Sequence, residues 1–144
     1  MKKHENIFNE SVVAYGTHSN SSIFSIMDAI RSGIVYSKFN KVLSSFPFSL
    51  ADWSWFLGMS ERTMQRYRKE RKTFDKLQSE KILNIYILYN RGVDVFGGAE
   101  NFNTWLDTPN TALGGEVPKK LLDNNFGIEF LNDTLTRIEH GVSA

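Results

Sequence analysis

Residues 50–69 read LADWSWFLGMSERTMQRYRK, and the helical spacing on each side of one glycine decides the fold of this region. Gly58 stands where a tight turn would leave a first helix, in a backbone conformation that strains other residue types. Ser60 can then cap a second helix that begins at Glu61. The apolar residues at the spacings that lock two such helices together are Trp53, Leu57, Met59, Met64 and Tyr67. With the small residue Ser54 where the helices touch, the stretch predicts a helix-turn-helix.

The second helix of this motif carries the chemistry of DNA recognition. In a helix-turn-helix, residues near the start of the second helix meet base edges in the major groove. Arginine pairs with guanine and glutamine with adenine, and each such contact contributes about 1–3 kcal/mol of discrimination. Neighbouring basic residues meet phosphates, which position the protein without reading sequence. The predicted DNA-binding residues are Ser60, Arg62, Thr63, Gln65, Arg66, Arg68 and Lys69. Among them, Arg68 is expected to meet phosphates, as are Arg71, Lys72 and Lys76.

The formal net charge of +1 conceals a strong separation of charge along the chain. Residues 61–92 carry nine basic and four acidic side chains, a net of +5, whereas residues 93–144 carry three and eight, a net of −5. Such asymmetry favours a nucleic-acid surface on one side and a different partner on the other. On charge alone, a solvated basic helix face and ordinary solubility charge remain the alternatives.

The hydrophobic patterns outside the motif predict helices and no strands, so we expect an all-α fold. Ser22 caps the expected first helix, and a central helix over residues 77–91 is apolar on more than one face, which is typical of burial. Gly92 is expected to stop that helix, and a final helix is expected over residues 127–140. The expected segments are a polar N-terminal arm (1–22), a helix-turn-helix domain (23–92) and a small helical domain (93–144).

The usual patterns of catalytic and metal-binding residues are missing from the sequence. The chain has no cysteine, which excludes disulfides, Fe–S clusters, thiol nucleophiles and Cys-ligated zinc. No HExxH, GxxxxGK[ST] or GxSxG pattern occurs, and the pair Glu139-His140 is too short to indicate a metal site. We therefore expect a binding protein rather than an enzyme, with no catalytic residues, no cofactor and no metal.

Two features of the sequence bear on localisation. Polar residues follow soon after Met1-Lys2-Lys3, so we expect no signal-peptide core. The longest purely apolar run, residues 85–89, is far too short to cross a bilayer. We therefore expect a cytoplasmic protein.

Three stretches resemble the Xre/MbcA/ParS-type antitoxins of bacterial type II toxin–antitoxin modules. Residues 26–34 (IMDAIRSGI) are similar to the segment before that family's DNA-binding motif, and residues 58–66 (GMSERTMQR) to its turn and recognition helix. The stretch that resembles the family's C-terminal toxin-binding domain contains Trp105-Leu106, Pro109-Asn110, Leu113-Gly114-Gly115, Pro118, Gly127 and Ile138-Glu139-His140-Gly141. The resemblance covers about residues 23–141, and this chain departs from the leucine that the family most often has at or near Lys119.

The resemblance implies an Xre-like helix-turn-helix domain followed by a small helical toxin-binding domain. It implies a partner toxin of the RES-domain type, which depletes NAD⁺ and whose active site the antitoxin covers. It also implies repression of the operon that encodes the pair, by a homodimer or a toxin–antitoxin hetero-oligomer bound to double-stranded operator DNA. The positions that it assigns to toxin contact are Asn110, Leu113, Gly114, Gly115, Ile138, His140, Gly141 and Ala144.

The sequence leaves alternatives open for the function and for one tryptophan. The protein could be a stand-alone helix-turn-helix transcriptional regulator whose C-terminal half only dimerises. It could also be a protein-interaction module whose helix-turn-helix no longer binds DNA. Trp55 lies off the predicted packed face, where it is either a partner contact or an aromatic at the boundary of the core.

Overall fold

The computed structural model describes residues 20–141, which are mostly helical. The helices are α1 (Asn20–Ser32), α2 (Tyr36–Leu43), α3 (Leu50–Leu57), α4 (Glu61–Lys69), α5 (Lys76–Phe96), α6 (Ala99–Asp107) and α7 (Asn125–Glu139). Two short 3-10 segments, Thr111–Leu113 and Pro118–Asp123, separate α6 from α7. Within residues 20–141, β pairing is limited to isolated bridges, so the predicted all-α fold is confirmed. The predicted N-terminal arm up to residue 19, and Ala144, lie outside the described residues.

Helix α5 is the centre of the fold, as its apolar pattern predicts. It contacts α1, α3, α6 and α7. Its most deeply buried aliphatic side chains are Ile82, Leu83, Ile85 and Leu88. A capping box starts the helix, because the Asp75 carboxylate accepts from the Gln78 N–H and the Gln78 side chain accepts from the Asp75 N–H. Among residues 20–141, none of the helices combines the length and the apolar character that a membrane crossing needs.

The predicted stop of this helix at Gly92 is wrong, because α5 continues to Phe96 and ends at Gly97. Gly97 has the left-handed backbone (φ 73°) that is common just after a helix. Gly92 instead lies inside the helix, and a Cβ atom there would overlap the ring of Phe102 on α6. The glycine is therefore needed for the close approach of two helices rather than for a turn.

The starts of two other helices differ from the predicted ones. Helix α1 is already formed at Asn20, so Ser22 is a buried residue of its first turn rather than its cap. Helix α7 is capped by Asn124, whose side-chain oxygen accepts from the Gly127 N–H at 2.7 Å. Gly127 lies within the first turn, where a Cβ atom would overlap the carbonyl oxygen of Leu121. Like Gly92, Gly127 is required by a neighbouring element and not by its own backbone.

The two halves of the chain share a helix and a packed junction. The predicted boundary between residues 92 and 93 falls inside α5. Across the junction, the indole N–H of Trp55 on α3 donates to the carbonyl oxygen of Lys120 at 3.0 Å. The Lys120 ammonium lies 5.3 Å from the centre of the same ring. Trp55 is thus an aromatic at the boundary of the core, half exposed and hydrogen-bonded within its own chain.

Lys119 forms the ionic part of this junction. Its Nζ lies 2.8 Å from Asp107 Oδ1 on α6 and 3.5 Å from Asp52 Oδ2 on α3, and its side chain is 20% exposed. Burial alone lowers the pKa of Lys119, but the hydrogen bond to Asp107 and the charges of both carboxylates outweigh it and hold the pKa above its ordinary value. At or near the position where the resembled family most often has leucine, this chain places a cation between two carboxylates.

Gly92→Ala is expected to lower the free energy of unfolding by about 1–2 kcal/mol, although alanine favours a helix by about 1 kcal/mol. The added methyl group must displace the buried Phe102 ring, and overpacking of this kind is destabilising. Urea unfolding followed by circular dichroism measures the loss. Asp94→Ala, at an exposed position of the same helix, is the control and should change stability by less than about 0.5 kcal/mol. Equal stability of the two variants would contradict the close approach.

Lys119→Met is expected to lower the free energy of unfolding by about 1–2 kcal/mol at neutral pH, because two carboxylates lose a charge-assisted partner. The folded-state pKa of Lys119 lies above its ordinary value of 10.5. Its stabilisation is therefore fully present below pH 10.5 and is lost as the pH rises through the folded-state pKa.

The measurement is the difference in unfolding free energy between the wild type and Lys119→Met across the alkaline range, which should narrow as the pH rises. Burial raises the pKa values of Tyr36, Tyr86 and Tyr89, but their titration affects both proteins alike and cancels in the difference. Lys76→Met removes an exposed lysine and is the control for charge loss. A difference that stays constant through the alkaline range would show that Lys119 is not held by the carboxylates.

Candidate nucleic-acid interface and C-terminal surface

The predicted helix-turn-helix is formed by α3 and α4, and a left-handed residue makes its turn. Gly58 has φ 63° and ψ 32°, and no atom lies within 4 Å of the position that its Cβ would take. This glycine is therefore required by backbone conformation and not by space. The Met59 N–H donates to the Ser54 carbonyl at 3.0 Å and closes the turn.

Apolar packing fixes the angle between α3 and α4. The five predicted locking residues are buried or half-buried: Trp53, Leu57, Met59, Met64 and Tyr67. Ser54, the small residue where the helices touch, is 9% exposed. The Gln78 side chain of α5 donates to the sulfur of Met59 at 3.3 Å, which ties the turn to the central helix. The orientation of α4 is therefore set by the core of the whole fold.

Ser60 caps α4 in the predicted way. Its Oγ accepts from the Thr63 N–H at 3.0 Å and donates to the Thr63 hydroxyl at 2.9 Å. Helix N-termini present backbone N–H groups and a positive dipole end, which suit a phosphate. The predicted contacts of Ser60 and Thr63 would therefore fall at the start of the helix, beside the DNA backbone.

One face of α4 points away from the protein and is basic and polar. Arg62, Gln65, Arg66 and Lys69 are exposed, and helical spacing places them opposite Met64, which is fully buried. An exposed ion pair joins Arg66 Nε to Glu70 Oε2 at 3.6 Å, with both side chains about half exposed. Exposed pairs of this type are weak, so Arg66 can exchange its partner for a DNA acceptor at little cost.

Arg68 lies on the flank of this face. Together with Gln65 it lines a groove of about 240 Å³ between α2 and α4, whose other walls include Tyr36 and Asn40. A position on the flank of a recognition helix suits contact with the sugar–phosphate backbone more than contact with base edges. This position is compatible with the phosphate contact that the sequence predicts for Arg68.

The basic loop after α4 is held against the connection between α1 and α2, a feature that the sequence reasoning missed. The Tyr36 N–H donates to the Lys72 carbonyl at 2.9 Å, and the Phe74 N–H donates to the Ile34 carbonyl at 2.8 Å. Gly33 makes this approach possible, because a Cβ there would lie 2.5 Å from the Phe74 carbonyl oxygen. The feature of the sequence that could have indicated this contact is Gly33. The end of α1 accounts for only part of the need for a glycine there, because the Phe74 backbone also lies against it.

Two basic residues of the positively charged segment 61–92 interact with the C-terminal half instead. Lys81 Nζ donates to the carbonyl oxygen of Asp123 at 2.8 Å. Arg91 donates to the Asn132 carbonyl at 3.0 Å and to the Thr136 hydroxyl at 2.6 Å, both on α7. The basic charge available to a nucleic acid is therefore concentrated between Arg62 and Lys76.

The loop predicted to contact a partner, residues 110–115, is a closed turn. The Asn110 N–H donates to the Glu116 carbonyl at 3.1 Å, and the Gly115 N–H donates back to the Asn110 carbonyl at 2.8 Å. The Asn110 side chain also accepts from the Ala112 N–H at 2.8 Å. Gly114 and Gly115 both have positive φ (70° and 84°), a backbone that favours glycine. The backbone conformation of the turn therefore explains why asparagine stands at 110 and glycine at 114 and 115.

The other predicted partner contacts are spread over different environments. Leu113 is 6% exposed and packs in the core, so its side chain is not available to a partner in this fold. Ile138 is half-buried, whereas His140 and Gly141 are exposed at the end of α7. Among the members of this set within residues 20–141, the end of α7 offers the most accessible side chain, that of His140.

The described residues hold no assembled metal site. Within residues 20–141, no group of three or more His, Asp or Glu side chains is arranged to hold a metal ion. A cavity of about 440 Å³ between α2 and α5 is lined in part by Lys38, Lys41, Phe46 and Tyr86, and it is open to solvent. Lys41 and Tyr86 already interact within the protein.

Two domain families match the chain, one in each half. The antitoxin Xre-like helix-turn-helix domain matches residues 25–85, and the antitoxin Xre/MbcA/ParS C-terminal toxin-binding domain matches residues 91–141. The first match ends and the second begins inside α5, the helix that both halves share.

Two relatives carry the name antitoxin Xre. The chain is 34% identical to the antitoxin Xre of Yersinia enterocolitica (serotype O:8 / biotype 1B) over 86 residues. The matched residues cover 59% of this chain and 58% of the relative. The chain is 24% identical to the antitoxin Xre of Photorhabdus laumondii subsp. laumondii over 114 residues, which cover 78% of this chain and 77% of the relative. The chain thus matches an Xre-like helix-turn-helix domain in its first half and a C-terminal domain of the Xre/MbcA/ParS antitoxin type in its second half.

Proposed function

We propose that this protein is an antitoxin that neutralises a cognate toxin through its C-terminal half and represses its own operon through α3 and α4. The observation that carries the proposal is the combination of two matched domain types in one chain. A plain regulator would need only the helix-turn-helix and a dimerisation surface. The C-terminal match favours a toxin-binding role for the second half.

The DNA-binding part of the proposal is supported by the outward face of α4. Arg62, Gln65, Arg66 and Lys69 share that face and are exposed. Arginine and glutamine side chains in this arrangement can pair with guanine and adenine in the major groove. The loop at Lys72 is held beside the helix by Tyr36, which suits phosphate contact.

The finer identity of the toxin is proposed from the sequence resemblance. We propose a RES-domain toxin that depletes NAD⁺, whose active site is covered by the C-terminal half of this protein. The net charge of −5 over residues 93–144 suits a site that binds its substrate through basic groups. We further propose that the protein acts in the cytoplasm, as a homodimer or within a toxin–antitoxin hetero-oligomer.

The double variant Arg62→Ala/Arg66→Ala is expected to lower affinity for the DNA upstream of its own gene by at least about tenfold, because two base-pairing groups are removed. Fluorescence anisotropy over a range of salt concentrations measures it. For the wild type, log affinity should fall linearly with log salt, by about 0.9 per phosphate neutralised. Arg137→Ala, at an exposed arginine of α7, should leave binding unchanged. Unchanged binding by the double variant would remove α4 from the DNA interface.

Co-expression with the product of the neighbouring gene tests neutralisation. That product alone should arrest growth and deplete cellular NAD⁺, and this chain should restore both. Growth arrest without loss of NAD⁺ would contradict the RES assignment and leave the antitoxin role standing. If the product of the neighbouring gene is harmless alone and does not change DNA binding by this chain, a stand-alone regulator is favoured instead.

A further inference from the structure

Helix α7 carries two phenylalanines on a face that residues 20–141 leave exposed. Phe126 is 85% exposed and Phe130 is 41% exposed, one helical turn apart. The opposite face of the same helix is deeply buried, with Ile128, Leu131 and Leu135 each 5% exposed or less. The helix therefore needs neither phenylalanine to dock on the core. Together with Glu129, Asp133 and Arg137, which are exposed on the same side of the helix, they form the surface that we call the Phe126 face, with two carboxylates and one cation.

The Phe126 face differs from the other exposed apolar side chains because it has two of them next to each other on one helix. Single exposed hydrophobic side chains are common and need no explanation. Phe24 and Leu77, also exposed, stand on different helices, and Trp55 is hydrogen-bonded to the C-terminal half. Burying a phenylalanine side chain against a partner is favourable, because a large apolar area is removed from water. A few such anchor residues usually account for most of the binding energy of a protein interface.

The charges around the two rings indicate what kind of molecule fits them. Glu129 and Asp133 would repel the phosphates of a nucleic acid. A second copy of the chain, docked through the same face, would bring two halves of net charge −5 together. A protein with an apolar pocket rimmed by lysine or arginine has the complementary chemistry.

We propose that the Phe126 face is the docking surface for the toxin, with both phenylalanines in an apolar pocket and the two carboxylates facing basic residues at its rim. The inference rests on the proposed antitoxin function and adds a surface that lies outside the predicted contacts in the 110–115 loop and at the end of α7. The two rings supply the contact energy, and the carboxylates guide association and orient the complex.

The test uses the full-length chain and the purified product of the neighbouring gene. Phe126→Ala/Phe130→Ala should weaken binding by at least about thirtyfold, mainly through faster dissociation. Phe24→Ala is the matched control, since it removes a phenylalanine that is 63% exposed on α1, and it should leave toxin affinity unchanged. Glu129→Lys/Asp133→Lys should slow association and reduce its dependence on salt. Circular dichroism and operator binding check that each variant is folded.

The outcomes separate this inference from the proposed function. If the wild type binds the neighbouring product and the phenylalanine variant binds it equally well, the docking surface is wrong and the antitoxin role stands. If the wild type does not bind that product at all, both fail. If the variant changes the oligomeric state of the chain while toxin affinity stays the same, the face joins copies of the chain, and the inference is overturned.

Discussion

The fold depends on the close approach of α6 to α5 at Gly92. Because this residue has no side chain, the Phe102 ring can lie directly against the backbone of the central helix. The ring then lies among other aromatic residues, 5.5 Å from Tyr89, 5.4 Å from Phe96 and 5.9 Å from Trp105 between ring centres. Aromatic contacts at these distances add to the energy of burial. The C-terminal half is thus anchored to the same helix that supports the helix-turn-helix.

A second set of contacts joins the two halves around α3. Lys119 lies between Asp52 and Asp107, and the Trp55 indole is hydrogen-bonded to the backbone of the neighbouring Lys120. Helix α3 therefore contacts α4 on one side and the 3-10 segment Pro118–Asp123 on another. A partner bound to the C-terminal half would thus contact a fold in which α4, the helix proposed to read DNA, is already held in place. The structure thus provides a physical link between the two proposed binding events.

Local signals made the helix-turn-helix predictable. Gly58 is required by its own backbone conformation, Ser60 bonds to a residue three positions on, and the locking residues lie within ten positions of the glycine. Gly92 was misread because a helix stop was the only local reason for a glycine there, and Gly127 was taken only as the start of the last helix. The true reasons lie in Phe102 and in the backbone of Leu121, which contact them only in the folded chain. The Phe126 face escaped notice because exposure depends on which side of α7 the core covers.

The sequence by itself determined the helical periods, the turn at Gly58 and the cap at Ser60, because each of these depends on residues within about two helical turns. The separation of charge follows directly from the order of charged residues along the chain. The tertiary structure alone decided which basic side chains of residues 61–92 remain available to a nucleic acid. Lys81 and Arg91 belong to the basic segment in sequence, yet both bind the C-terminal half, more than 40 residues away along the chain. It also decided that Leu113 is buried and that Phe126 is exposed. Packing between distant helices sets these outcomes, and no local pattern carries that information.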